Sequence, residues 1–232
     1  MSITENFQRI RESLPENVRL VVAAKQRLPE ELREVIAAGA TDIGENYVQE
    51  TEAIHAALGE LAGQVRWHLI GHLQTNKINK ILPIVDTIQT VESIKKADAI
   101  DKRVSNAGKQ ILSVLIEVNV GEEDSKAGID PHFENLRRLA LHISELSHLQ
   151  LEGLMTIGPL GGDPEDSRPY FQKTRQLFDR LNALEHPGIQ LTTLSMGMTH
   201  SYGVAIEEGA TMVRIGTAIF GPRSCRIPSQ PS

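Results

Sequence analysis

Short apolar runs alternate with amphipathic segments along the whole chain, and this alternation predicts the fold. The opening segment carries Ile3, Phe7, Ile10 and Leu14 near one face at helical spacing. Eight apolar runs of strand length follow it, and none of them is paired at hairpin spacing. These runs cover 19–25, 41–46, 65–71, 84–91, 110–120, 149–157, 189–196 and 211–216.

The segments between these runs have helical period, and prolines and glycines mark their ends, as Pro29 and Gly39 do for the first. Strand–helix alternation predicts parallel strands joined by right-handed crossovers. Eight such units predict an α/β fold of the closed (β/α)₈, or TIM, barrel class, with an extra N-terminal helix, as a single domain over 1–232. The alternative is an open doubly wound sheet, but no G-x-G-x-x-G opens a helix and no G-x-x-x-x-G-K-[ST] is present.

Composition narrows the classes of partner and compartment. The chain has 232 residues, a formal net charge of −6 and 23% charged residues, which argues against broad binding to nucleic acid or to an anionic membrane. Its single cysteine, Cys225, excludes an intramolecular disulfide and fits a reducing compartment. No segment approaches the roughly 20 apolar residues of a membrane span. We therefore expect a cytoplasmic protein, with a loose tail at 223–232.

Active sites of (β/α)₈ barrels lie at the carboxyl ends of the strands, so those ends are the candidate site. Polar strand ends are also common wherever a chain enters a loop, and each alone carries little weight. The predicted ends are Lys25, Glu45–Asn46, Gly71–His72, Thr90, Asn119, Met155–Thr156, Ser195–Met196 and Gly216–Thr217.

Two cations at these ends have a chemical interpretation. Lys25 ends an apolar run, and a partly desolvated lysine favours the neutral amine that Schiff-base formation needs, although a solvated lysine at a strand exit is the simpler alternative. Arg214 alternates with Val213 and Ile215, so it can point into the barrel toward a ligand. An internal ion pair of Arg214 with a carboxylate such as Glu117 is an equal alternative.

Two turns of small residues predict a phosphate site. Barrels often bind phosphate after strands seven and eight, where glycine lets the backbone approach the anion. Gly216–Thr217 follows strand eight, and S-M-G-M-T at 195–199 follows strand seven. The alternative for Gly216 is a simple turn.

Other chemistries are weakly represented. His68 and His72 lie on a strand and its exit, so His68 is interpreted as a packed, hydrogen-bonded residue rather than a metal ligand. The sequence has no zinc constellation and no G-x-S-x-G elbow, and Cys225 in a polar tail is a poor candidate nucleophile.

Several longer segments resemble the pyridoxal phosphate homeostasis protein family, also described as PLP-binding or alanine racemase N-terminal-domain-like. They are IGENYVQE (43–50), WHLIGHLQTNK (67–77), GLMTIGP (153–159) and LSMGMTHSYGVAIEEGATMVRIGTAIFG (194–221), together with the lysine of the first strand. The resemblance implies a barrel of the alanine racemase type that holds pyridoxal 5′-phosphate (PLP).

The resemblance also implies roles for individual residues. It implies a covalent bond of PLP to Lys25, Arg214 facing the pyridine nitrogen, and Asn46 near the cofactor. The phosphate then lies among Ser195, Met196, Gly216 and Thr217, with Thr199 able to add a hydroxyl.

The chain departs from the family pattern at four places. It has A-A-K-Q-R around Lys25 where S-K-T/V-K is common, Ile43 where F-G-E-N is common, and His72 where I-G-P-L-Q is common. After S-M-G-M it has Thr199, His200 and Ser201 in place of Ser-x-Asp, so the acidic residue is lost from that wall.

Chemistry separates a carrier from an enzyme. An arginine facing the pyridine nitrogen leaves it largely unprotonated, which makes the ring a poorer electron sink and argues against aminotransferase chemistry. Racemisation needs acid/base groups on both faces of the substrate. Alanine racemases take the second base from a further β-domain, and we expect none in the 11 residues after Gly221.

We therefore expect a monomeric protein that holds and releases PLP, buffers the free aldehyde, and affects amino-acid and keto-acid balance, with apo PLP-dependent enzymes as recipients. The alternatives are a weak amino-acid racemase or other PLP enzyme, and a barrel that binds another phosphorylated metabolite through Gly216–Thr217.

Overall fold

Eight parallel strands close into one barrel in a structure, a computed structural model, that describes residues 1–122, 127–159 and 161–222. Consecutive strands are neighbours all the way round, and the first also pairs with the last, with Val22 opposite Ile215. The strands are β1 (Arg19–Ala23), β2 (Asp42–Glu45), β3 (Arg66–Leu69), β4 (Thr87–Val91), β5 (Leu112–Glu117), β6 (Leu149–Met155), β7 (Thr193–Ser195) and β8 (Met212–Ile215). The predicted (β/α)₈ barrel is confirmed.

Nine α-helices lie in the described part of the chain, and after the first of them every helix follows one strand. They are α1 (Ile3–Ser13), α2 (Pro29–Ala37), α3 (Val48–Leu58), α4 (Ile78–Ile81), α5 (Ile94–Asn106), α6 (Phe133–Ser144), α7 (Arg168–Asn182), α8 (Tyr202–Glu207) and α9 (Thr217–Phe220). The extra helix α1 begins with a capping box, in which the Ser2 hydroxyl accepts from the Glu5 N–H at 3.1 Å and the Glu5 carboxylate accepts from the Ser2 N–H at 2.8 Å. None of the helices described is long and apolar enough to cross a membrane.

Each apolar run is longer than the strand found within it, and two of the shortened elements have a clear local cause. The seventh apolar run was expected to be a strand over 189–196, but β7 spans only Thr193–Ser195. Just before it, the Asn182 side chain donates to the Leu191 carbonyl at 3.1 Å and accepts from the Leu191 N–H at 2.8 Å. The backbone groups of Leu191 are therefore bonded to a side chain and not to a neighbouring strand. The helical segment between the second and third runs ends at Leu58, because Gly59 has φ +60° and a 3₁₀ turn follows.

Buried side chains form two layers with different chemistry. The outer layer lies between strands and helices and is apolar, with residues such as Leu32, Trp67 and Phe171 almost completely buried. The inner layer lies inside the barrel and contains buried polar groups. Gln89 on β4 contacts Ser195 on β7, and these strands are not neighbours, so the contact crosses the barrel interior.

Some predictions lie outside the described residues. They are the loose tail at 223–232 with Cys225, and parts of the predicted loops after β5 and β6, namely 123–126 and Leu160.

Candidate functional site

A cavity of about 220 Å³ opens at the carboxyl ends of the strands, where the sequence predicts the site. Ala23 at the end of β1, Arg214 on β8 and Gly216 just after β8 line it, with Thr199 from the segment after β7. Larger clefts of about 420 and 540 Å³ lie elsewhere on the barrel, and the second is lined by the first residues of β1 and β2. Size alone therefore does not locate the site; the convergence of strand ends does.

The turn after β8 lets the backbone approach closely. A Cβ on Gly216 would lie 2.7 Å from the carbonyl oxygen of Ala23, so only glycine fits between β1 and β8. The next residue, Thr217, is exposed and begins α9. The Thr199 hydroxyl accepts from the Ala218 N–H at 3.3 Å and so ties the segment after β7 to this turn. The two predicted small-residue turns are thus brought together on one wall.

The other turn depends on Gly197. This residue has φ +94°, a conformation that favours glycine. A Cβ there would also lie 2.6 Å from the Cβ of Ala205 in α8. Its carbonyl accepts from the Arg214 N–H at 3.0 Å, which fixes the turn against β8.

Arg214 points into the barrel and is 4% exposed. Its Nη1 donates to the Ser195 hydroxyl at 2.6 Å and its Nη2 donates to the Thr156 carbonyl at 2.8 Å. Burial lowers the pKa of Arg214 to about 10, although the charge of Glu117 opposes the shift. The guanidinium therefore stays charged at neutral pH, and Glu117 acts on it through its electrostatic field while the hydrogen bonds go to Ser195 and Thr156.

Lys25 lies on a tight turn just beyond β1. The Arg27 N–H donates to the Ala24 carbonyl at 2.9 Å, and Gln26 has φ +61°, which is uncommon for a residue other than glycine. The Gln26 N–H donates to a carboxylate oxygen of Glu50 in α3 at 3.2 Å. This turn breaks the strand and carries Lys25 at the rim of the barrel.

The surroundings of Lys25 are aromatic and ordered. The Lys25 ammonium lies 4.9 Å from the centre of the Tyr47 ring. Arg27 is buried, donates to the Gly221 carbonyl and lies 5.0 Å from the centre of the Phe220 ring. These contacts hold the turn after β1 against the segment that follows β8.

Asn46 lies beside a second cavity of about 390 Å³, which Tyr47 and Gly71 also line. A Cβ on Gly71 would lie 2.3 Å from the Asn46 carbonyl oxygen, so these two strand ends are in direct contact. Lys25 is not among the residues that line either cavity. It follows Ala23, which lines the first, and its ammonium lies against the ring of Tyr47, which lines the second.

Ser195 and Met196 are completely buried, and neither is among the residues that line the cavity. The Ser195 hydroxyl is engaged by Arg214 and Gln89. The Met196 side chain belongs to the outer apolar layer, and its N–H donates to the Met212 carbonyl at 3.1 Å. Of the predicted site residues, Thr199, Arg214, Gly216 and Thr217 line one cavity, and Ser195 is joined to it through its hydrogen bond with Arg214.

Two buried carboxyl groups near the strand ends have raised pKa values. Burial raises the pKa of Glu45 to about 8, and the charge of Glu50 adds to the effect. Burial also raises the pKa of Glu117 to about 7, against the lowering effect of Arg214. Glu45 is 0% exposed, and neither of its oxygens has a hydrogen-bond partner within the described residues.

The donor set fits PLP. Gly216 leaves room at the backbone that a side chain would fill, and the Thr199 and Thr217 hydroxyls are donors suited to a phosphate. A buried guanidinium lies on the same cavity, where it can face a ring nitrogen that accepts a hydrogen bond. Lys25 supplies the amine. PLP, when bound, supplies an aldehyde that condenses reversibly with amines.

Sequence reasoning missed the polar residues inside the barrel. Asp42, His68 and Gln89 form a row of hydrogen bonds beneath the site, with His68 in the middle. The prediction that His68 is packed and hydrogen-bonded is confirmed, but its partners were not foreseen. The available signal was the alternation of Thr87 and Gln89 with apolar residues in T-I-Q-T-V, which puts amide and hydroxyl groups on one face of β4.

Comparison with known proteins agrees with this geometry. The family model for the alanine racemase N-terminal domain matches residues 1–224. A pyridoxal phosphate homeostasis protein from Aquifex aeolicus is 45% identical over 205 residues, covering 88% of this chain and 87% of that protein. The human protein of the same name is 36% identical over 213 residues, covering 88% and 76%.

Solved structures show the same barrel. PipY of Synechococcus elongatus PCC7942, solved with PLP bound, has a TM-score of 0.86 at 35% identity and covers 95% of this chain and 100% of that one. An alanine racemase from Clostridium difficile 630 has a TM-score of 0.79 at 16% identity, which shows the fold alone.

The fold and the strand-end site define a (β/α)₈ barrel of the alanine racemase N-terminal type. The identities and coverage then specify the group within that class. The chain belongs to the pyridoxal phosphate homeostasis protein family.

Proposed function

We propose that this protein binds PLP as a Schiff base on Lys25 and acts in intracellular PLP homeostasis and amino-acid and keto-acid balance. One observation carries the proposal: β1, which Lys25 follows by two residues, is paired with β8, which carries the buried guanidinium of Arg214 and ends at the Gly216–Thr217 turn. The names of the relatives and the PLP bound in PipY support it.

Each site residue has a proposed role. Gly216, Thr217 and Thr199 bind the phosphate, and Arg214 faces the pyridine nitrogen. Asn46 lies near the cofactor on the side of the second cavity. We assign Ser195 to the floor of the site, where it acts through its hydrogen bond to Arg214, while Met196 supports the turn after β7 through its backbone bond to Met212.

The covalent bond is tested by trapping. Wild-type protein reconstituted with PLP should show visible absorbance, and borohydride reduction followed by peptide mapping should find the adduct on Lys25. Lys25→Ala should lose both signals. Lys80→Ala is the matched control, because Lys80 is an exposed lysine on α4 and pairs with Glu52. An adduct that survives in Lys25→Ala, or one that lies on another lysine of wild type, contradicts the assignment.

The homeostasis role is tested by transfer. The PLP-loaded protein is mixed with an apo PLP-dependent enzyme, and recovery of that enzyme's activity is compared with recovery from an equal amount of free PLP. Faster or more complete recovery in the presence of a PLP scavenger supports a carrier that hands PLP to recipients. Racemase turnover well above that of free PLP, without transfer, favours the alternative of a weak PLP enzyme.

We also propose that the chain acts in the cytoplasm as a monomeric, single barrel domain. Light scattering during gel filtration should give a mass near 25.6 kDa both with and without PLP. A mass of twice that value in either state contradicts the monomer.

A further inference from the structure

Five buried side chains form a continuous row of hydrogen bonds across the barrel interior. Arg214 Nη1 lies 2.6 Å from Ser195 Oγ, and Ser195 Oγ lies 2.7 Å from Gln89 Oε1. Gln89 Nε2 lies 3.1 Å from His68 Nδ1, and His68 Nε2 lies 2.9 Å from Asp42 Oδ1. We call these five residues the interior chain. It begins at Arg214 on the wall of the cavity and ends at Asp42, the first residue of β2.

The two ends, together with the Gln89 amide nitrogen that faces His68, fix the direction of every bond between them. Arginine can only donate, and an ionised carboxylate can only accept. His68 therefore carries a proton on Nε2 toward Asp42, and in a neutral imidazole Nδ1 is then an acceptor for the Gln89 amide N–H. That leaves Gln89 Oε1 to accept the Ser195 O–H, and Ser195 Oγ to accept from Arg214. Hydrogen bonds thus run one way, from the cation to the anion.

The interior chain is well shielded from water, so its geometry is strongly preferred. Gln89 and Ser195 are 0% exposed and His68 is 1% exposed. The second carboxylate oxygen of Asp42 accepts from the Thr41 hydroxyl at 2.8 Å. A buried polar group left without a partner costs more than a hydrogen bond gains, so each member restricts the orientation of the next.

We propose that Gln89 and His68 are positioning residues that fix the guanidinium of Arg214 for the cofactor. The inference rests on the proposed function, since it concerns how Arg214 is presented to PLP. An arginine side chain has many rotamers, and here the Ser195 hydroxyl and the Thr156 carbonyl select one. The Ser195 hydroxyl gives its hydrogen to Gln89 and accepts from Arg214, and His68 sets the amide of Gln89 so that its oxygen is the atom that faces Ser195.

The first test removes the middle of the interior chain. Gln89→Met keeps the length of the side chain and deletes both its strong donor and its strong acceptor. We expect the dissociation constant for PLP to rise about fivefold to tenfold, which is the loss of about one hydrogen bond, with a shift in the visible absorbance band of the bound cofactor. Thr87→Val is the matched control, because Thr87 is a buried residue of the same strand, two positions from Gln89, and lies outside the interior chain.

The second test needs no variant. In protein labelled with ¹⁵N at its 8 histidines, a two-bond correlation spectrum should show His68 with Nε2 protonated and Nδ1 accepting. Addition of PLP should move the Nδ1 signal of His68, although Gln89 and Ser195 separate His68 from Arg214. In Gln89→Met, that response to PLP should be lost.

The outcomes separate the inference from the function on which it rests. If borohydride finds no adduct on Lys25 in wild type, the proposed function fails. If the adduct forms in wild type and in Gln89→Met with the same dissociation constant and spectrum, the positioning role is wrong. A His68 signal that PLP leaves unchanged in wild type also overturns it, even if Gln89→Met does not fold.

Discussion

The outer and inner layers of this barrel bury similar strands in opposite ways. Outside, Ile43, Leu69 and Val213 pack against helices through apolar contacts that any side chain of similar shape can supply. Inside, the same strands contribute Asp42, His68 and Arg214. These side chains are stabilised only by a hydrogen-bond partner of the right chemical type. The outer layer supplies stability through apolar packing that does not require a particular partner. The inner layer supplies a directed set of polar contacts below the site.

The largest expected effect comes from deleting a side chain in the outer layer. Phe171 on α7 is 0% exposed, and Phe171→Ala should lower the free energy of unfolding by about 4 kcal/mol through lost burial and a cavity. Chemical denaturation measures this, with Gln176→Ala, an exposed change on the same helix, as the control. PLP affinity of the folded fraction should be unchanged. A loss below about 1 kcal/mol contradicts the assignment of this layer to stability.

His68→Leu makes the comparable deletion inside the barrel. It removes the partner of a buried carboxylate, and we expect the free energy of unfolding to fall by about 3 kcal/mol. Burial alone would raise the pKa of Asp42, but hydrogen bonds from His68 and Thr41 hold it below the usual value. Unlike Phe171→Ala, this variant should also weaken PLP binding. If His68→Leu loses stability but keeps its PLP affinity, the inner layer serves only stability, as the outer layer does.

Glu45 is the polar exception on the outer side, since it lies two residues after Ile43 on the same face of β2. Its pKa of about 8 lies above the ordinary 4.5, so the folded state holds a proton that the unfolded state releases. The contribution of Glu45 to stability is therefore fully present below about pH 4.5 and is lost as the pH rises to about 8.

Glu45→Gln should remove this pH dependence and stabilise the protein at pH 8 by on the order of 2 kcal/mol, with little effect at pH 5. Thermal unfolding of both proteins across that range measures it. Parallel pH profiles for wild type and the variant would show that Glu45 ionises freely in the folded protein.

Gly216, at the rim of the barrel, tests whether the site depends on the close approach of its backbone to β1. Gly216→Ala places a Cβ 2.7 Å from a backbone oxygen of β1, so strands must shift, and we expect a PLP dissociation constant about tenfold higher, or about 1.4 kcal/mol. Gly203→Ala is the control, because a Cβ on this glycine of α8 meets nothing within 4 Å. Equal PLP affinity in the two variants would argue that the phosphate binds elsewhere.

The smallest effect belongs to one hydroxyl. Thr199→Val removes the hydroxyl that accepts a long hydrogen bond, at 3.3 Å, from the Ala218 N–H. It also removes a donor that we propose for the phosphate. We expect the PLP dissociation constant to rise about threefold to fivefold, with less than about 1 kcal/mol lost in stability. Fluorescence titration measures the affinity. A change larger than that of Gly216→Ala would reverse the proposed order of contributions.

The outer layer could be predicted from the sequence because its apolar residues recur at short, regular spacings. Helical spacing and apolar runs of strand length are set by neighbours a few residues apart, and they identified all eight strands. The lysine and the turns at 195–199 and 216–217 were found the same way, from the rule that barrel sites lie at strand ends. Their roles came from family resemblance rather than from periodicity.

The interior chain could not be read this way. Gln89 and Ser195 lie 106 positions apart and meet only because the barrel closes with a particular stagger of its strands. The same closure decides that Arg214 bonds Ser195 while Glu117 acts at longer range. The short β7 escaped prediction for a related reason, because the Asn182 side chain competes for the backbone of Leu191.

The pairing of β1 with β8 has a consequence for how the protein is made. Lys25 leaves the ribosome early, while Arg214 and the Gly216 turn emerge only after almost the whole barrel has been translated. A nascent or truncated chain can display the amine but cannot surround a phosphate or a ring nitrogen. A site that draws on both strands is therefore complete only in the finished barrel.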